Sequence, residues 1–143
     1  MRNDMYDDLQ KTREHLAYMI WKEKSFGEFQ LASVLEDSLL YNLHDHIDSP
    51  YLSRIAYETA RISVSTAIEV MNLNEFIVCE SVRGVIHSMD RLGGDPIDLA
   101  EIVAAGALHA VELASNDEIS DAYRNAVLNG VRSATDDMGV NYG

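Results

Sequence analysis

The stretch LLYNLHDHIDSPY, Leu39 to Tyr51, sets His44, Asp45, His46 and Asp48 within five residues. Imidazole and carboxylate groups are common transition-metal ligands and common proton-transfer groups, so such a run could hold a metal or move a proton. Related pairs recur along the chain. His44 and Asp48 are four apart, while His87 and Asp90, and likewise His109 and Glu112, are three apart. On helices each pair would share a face. The di-iron helical-bundle signature needs Glu-x-x-His on two helices, and this chain has none, which disfavours a ferritin-like centre. A structural reading competes with the chemical one. If the run closes a helix, protonated histidines suit its C-terminus, whereas Asp45 and Asp48 need another reason there: solvation, pairing with Arg54 or Arg61 on the next helix, or pairing with the histidines themselves.

The elements that would position these residues are marked by helix-start signals. Ser25 with Glu28 reads as a capping box, Ser49-Pro50 as an N-cap followed by proline at the first helical position, and Asn72 with Glu75, Asp95-Pro96 with Asp98, and Ser115 with Glu118 repeat the pattern. The spacings of 24, 23, 23 and 20 residues, after an opening helix from about Asp4 to Lys24, predict six helices joined by short turns. Short connections favour antiparallel neighbours, so the expectation is an all-α, single-domain helical bundle over residues 1–143. The apolar periodicity agrees: Met5, Leu9, Leu16, Met19 and Ile20 line the first helix, and Val78, Val82, Val85, Ile86 and Met89 the fourth. Ala56, Thr59, Ala60, Ser63 and Ala67 give the third helix a small-residue stripe that admits a close neighbour. The fifth, PIDLAEIVAAGALHAVELA, has few charges and is expected to be the central one. LASVL to AYETA and LAEIV to AYRNA echo each other, but at unequal intervals.

The charge is strongly acidic, 24 Asp and Glu against 11 Lys and Arg, formally −13. Direct binding to nucleic acid or an anionic membrane is not expected, since both depend on cationic groups. No apolar run reaches the roughly 18 residues of a membrane span, and the acidic N-terminus lacks the basic flank and apolar core of a signal peptide. A cytoplasmic location follows as an expectation. Cys79 is the only cysteine, so no intramolecular disulfide forms, and its apolar surroundings suit a packing role. Tyr18 and Trp21 suit a core or subunit interface more than a ligand platform. Gly93-Gly94 before Asp95-Pro96 is turn chemistry, and its aspartates would repel a phosphate.

The order His15, His44-Asp45, Asp90 resembles the H…HD…D pattern of HD-domain metal-dependent phosphohydrolases, an all-helical family, over about residues 15 to 94. The resemblance implies that His15, His44, Asp45 and Asp90 hold a divalent metal such as manganese or iron. It further implies that His46 or His87 transfers a proton, and that the substrate is a phosphomonoester or nucleotide. The chain departs from the pattern where His46-Ile47-Asp48 replaces the usual Ile-Gly pair and following Lys or His. The three lysines, Lys11, Lys22 and Lys24, all fall in the first helix, which leaves Arg83 and Arg91 as phosphate contacts.

The chain contains no Walker-type loop, serine-nucleophile elbow or Cys-x-x-Cys. Its main reading is therefore a non-catalytic binding protein, homo-oligomeric, that engages a protein partner through helical and acidic surfaces. LHDHIDSPY is also similar to a stretch of the helical phage antirestriction DNA mimics. That likeness implies a basic nucleic-acid-binding partner whose groove the acids would occupy.

Overall fold

The structure, a computed structural model, describes residues 3–25, 30–47, 49–115 and 119–140. Six α-helices follow one another: α1 (Asn3–Ser25), α2 (Leu31–Leu43), α3 (Leu52–Met71), α4 (Glu75–Arg91), α5 (Pro96–Ser115) and α6 (Asp121–Asp137). A short 3-10 turn, His44–His46, follows α2, and the described residues contain no strand.

The caps explain where the helices start, and several differ from the expected ones. Asp95 caps α5 as anticipated, its Oδ1 accepting from the backbone N–H groups of Ile97 (2.8 Å) and Asp98 (3.3 Å). Asn74, and not Asn72, caps α4 by accepting from Ile77 N–H at 2.9 Å. Asn72 instead ends α3 with φ 72° and ψ 157°, a positive-φ backbone outside the left-handed helical basin, and donates its N–H to the Ile68 carbonyl. Ser120 caps α6 through Tyr123 N–H, while Ser115 is the last residue of α5. Ser25 likewise belongs to the preceding helix, where its hydroxyl donates to the Trp21 carbonyl at 2.9 Å. Its expected partner Glu28 lies outside the described residues, as do Glu118 and Asp48. Ser49 accepts from Tyr51 N–H, and α3 begins at Leu52 instead of Pro50. α4 ends in a Schellman turn: Gly94 N–H reaches the Met89 carbonyl while Gly93 takes φ 97°.

The helices pack in two rows. α1, α3 and α5 form one row and α2, α4 and α6 the other, with α1·α2, α3·α4, α4·α5 and α5·α6 contacts joining them. α4 therefore touches α2, α3, α5 and α6, whereas α5, the expected centre, touches α3, α4 and α6. Three glycines set the spacing within the rows. A Cβ at Gly84 of α4 would lie 2.7 Å from the Ala32 carbonyl oxygen on α2, and one at Gly130 of α6 would lie 2.5 Å from that of Cys79 on α4. One at Gly106 of α5 would strike the Tyr57 carbonyl on α3. Each helix of the second half thus rests its glycine on the helix two before it, at a backbone separation no larger residue permits.

One apolar cluster draws on all six helices, with Leu16, Ile20, Leu35, Leu39, Ile86 and Met89 fully buried. The small stripe of α3 is buried as expected. Buried hydroxyls of Thr12, Ser81, Ser88 and Thr135 donate back to the carbonyl four residues earlier. Those of Thr59, Ser63 and Thr66 find no partner among the described residues. An unpartnered buried hydroxyl costs free energy that an isosteric methyl does not. Thr59→Val is accordingly expected to leave stability unchanged or to raise it by about 1 kcal/mol in urea denaturation. A loss of about that size would show that the hydroxyl has a partner.

Candidate functional site

The LHDHID run does close a helix. α2 ends at Leu43 and the backbone tightens into the 3-10 turn, with Ser49 N–H donating to the His46 carbonyl at 3.0 Å. His44 and Asp45 are exposed there. His44 Nδ1 donates to the Tyr41 carbonyl at 2.8 Å, and its Nε2 lies 3.2 Å from Asp45 Oδ1. Both ring nitrogens thus face acceptor oxygens, one on the backbone and one on the neighbouring carboxylate.

The remaining histidines tie helices together. His15 Nδ1 lies 2.7 Å from Ser38 Oγ and 3.1 Å from Asn42 Nδ2, both on α2. The Asn42 amide also donates to the Ser38 carbonyl at 2.8 Å, so Nδ1 acts as an acceptor and the ring proton sits on Nε2. The His15 ring meets Tyr41 at 5.3 Å between centroids. His46 Nε2 bonds Asp8 Oδ2 at 2.8 Å, fastening the turn to α1. His109 Nδ1 and the Tyr57 hydroxyl, 2.9 Å apart, join α5 to α3. His87 Nε2 bonds Asp137 Oδ2 at 2.8 Å across α4 and α6. Asp90 is exposed near the end of α4, and neighbouring Arg91 reaches Glu36 on α2 at 2.9 Å.

The sequence-predicted ligands are therefore placed as follows. His44 and Asp45 are together; His15 is engaged with Ser38 and Asn42; Asp90 stands on another helix. His46 and His87, the proton-transfer candidates, face Asp8 and Asp137 respectively. Among the described residues no three His, Cys, Asp or Glu side chains gather so as to hold a metal ion.

Asp137 also accepts from Arg83 Nε at 2.7 Å. The Arg83 hydrogen bond, aided by His87, holds its carboxyl below the ordinary aspartate value of 3.8 despite partial desolvation. A group whose folded pKa is depressed contributes stability that is present above the unfolded value and is lost as pH falls through the folded one. Asp137→Asn should therefore lower Tm at neutral pH, and its gap from the wild type should narrow below about pH 4. A gap that widens on acidification would contradict this assignment. Cys79 behaves as the sequence suggested: burial first, then Glu80, pushes its thiol pKa up, with Arg83 opposing, so the nucleophilic thiolate is disfavoured.

The surface carries a feature that no local motif marks. Nine large apolar side chains are exposed among the described residues, and six of them, Tyr6, Tyr18, Trp21, Tyr41, Ile47 and Tyr51, fall in the first 51 positions. Trp21 is 58% exposed and Tyr41 71%. The sequence reading placed Tyr18 and Trp21 at a core or an interface; they are not in the core of this chain. Exposed acids, Asp7, Glu14, Asp37 and Asp45, stand on the same elements. No helix among the described residues is long and apolar enough to cross a membrane.

The chain matches no known family model, no curated protein and no solved structure.

Proposed function

We propose that this chain is a non-catalytic binding protein that presents the aromatic side chains of α1, α2 and the following turn to a protein partner, with its acidic surface selecting a basic one. The exposed aromatics at one end of the sequence carry this reading. Tyrosine and tryptophan are enriched at interface hot spots, because each offers a large rigid contact area at little conformational cost. The formal charge of −13 gives the electrostatic complement to a basic partner, including one that binds nucleic acid. The reading extends to a cytoplasmic oligomer in which successive helices run antiparallel, as their short connections favour.

The experiment is capture of partners from a cell extract on immobilised wild-type protein and on a Trp21→Ala, Tyr41→Ala variant, at low and high salt. A basic protein should be retained by the wild type, released by high salt, and bound at least about thirtyfold more weakly by the variant. Retention that is indifferent to both changes would refute the assignment.

A further inference from the structure

A groove of about 210 Å³ runs between α1 and α3. Its lining includes Leu9 and Ile62, both buried and apolar, the exposed ring of Tyr6, the guanidinium-bearing side chains of Arg13 and Arg61, and the carboxylate-bearing side chain of Glu58. Neither arginine is fully used by the protein. Arg13 approaches Glu69 at 3.6 Å, an ion pair too long for a hydrogen bond. Arg61 directs both Nε (2.9 Å) and Nη2 (2.8 Å) at a single oxygen of Glu58, which leaves its Nη1 edge without a partner among the described residues. Two cationic groups with unspent donors thus flank the apolar Leu9 and Ile62, beside one carboxylate, Glu58, that is already bonded to Arg61, in a chain where acids outnumber bases 24 to 11.

We propose that this groove binds a small organic anion, its carboxylate or phosphate head between Arg13 and Arg61 and its apolar body on Leu9, Ile62 and Tyr6. Guanidinium groups recognise such heads through paired, charge-assisted hydrogen bonds. The overall negative charge does not forbid it, because exposed charges beyond about 8 Å are screened at physiological ionic strength, and within the lining the two guanidiniums outnumber the single carboxylate of Glu58. The volume lies below the roughly 300 Å³ at which drug-sized pockets begin, so the ligand is the size of a single ring with its acidic group. The groove shares Tyr6 with the partner surface proposed above, but neither Trp21 nor Tyr41 lines it.

The test is calorimetric and NMR titration of the full chain with phenyl phosphate, benzoate and inorganic phosphate. Saturable binding of phenyl phosphate or benzoate is expected, the tighter of the two identifying the preferred head, with inorganic phosphate weaker because it cannot use Leu9 and Ile62. Arg13→Gln and Arg61→Gln should each weaken binding about tenfold, whereas Arg124→Gln on α6 should not. Ser65→Glu adds a carboxylate at an exposed lining position and should weaken binding similarly, a check that holds even if an arginine variant misfolds. Three results would each overturn the proposal: no saturable binding of either organic anion up to tens of millimolar, affinity unchanged in both the Arg61 and Ser65 variants, or inorganic phosphate binding as tightly as phenyl phosphate.

Discussion

Gly106→Val is expected to destabilise the protein by about 3 kcal/mol or more, the upper end of the cost of overpacking a core. The new side chain would strike the Tyr57 carbonyl and sit 3.1 Å from the Ala60 Cβ even before its γ-carbons are placed. A carbonyl within a helix cannot rotate away as a side-chain end can, so relief requires α3 and α5 to separate along their contact. That separation would also stretch the Tyr57–His109 hydrogen bond between the same helices. Valine has a higher helix propensity than glycine, so propensity favours the variant and cannot account for a loss. Ala105→Val, at the adjacent exposed position, serves as the control and should change stability by no more than about 0.5 kcal/mol. Equal urea midpoints for the two variants would show that the α3–α5 approach is looser than described.

Leu35→Ala carries the other large effect, an expected loss of about 3–5 kcal/mol. Leu35 is fully buried on α2, and its Cβ lies 3.1 Å from where a Cβ would stand at Gly84 of α4. Because that glycine brings the backbones together, the helices cannot close much further around a deleted isobutyl group, and the cavity persists. Ser33→Ala, exposed on the same helix, should be near neutral. A loss below about 2 kcal/mol for Leu35→Ala, with an unchanged denaturant slope, would indicate that α2 collapses onto α4 after all.

The existence and number of the helices were legible because caps and apolar periodicity are local properties. Their boundaries were less so, since one polar residue can serve several termini. Asn72 ends α3 and Asn74 starts α4 only two positions later, and Ser25 and Ser115 belong to the helices they follow. The histidines show the same limit more sharply. Pairing each with a carboxylate three or four residues away is natural from sequence, yet His46 meets Asp8 and His87 meets Asp137, 38 and 50 residues distant. Those partners are chosen by the packing of helices, which no local spacing encodes. The groove between Arg13 and Arg61 is hidden for the same reason. One signal of the two-row packing is present in the sequence: Gly84, Gly106 and Gly130 recur at 22 and 24 residues, near the helix repeat, as expected if each marks one helix resting on another.

The central claim is that the aromatic surface of α1, α2 and the following turn is where a partner sits. It is tested most directly by hydrogen-exchange footprinting of the protein alone and in complex with a partner captured at low salt. Protection should concentrate in α1, α2 and residues 44–51, with α6 unchanged. Protection confined to α5 and α6, with the N-terminal helices exchanging as in the free protein, would contradict the account.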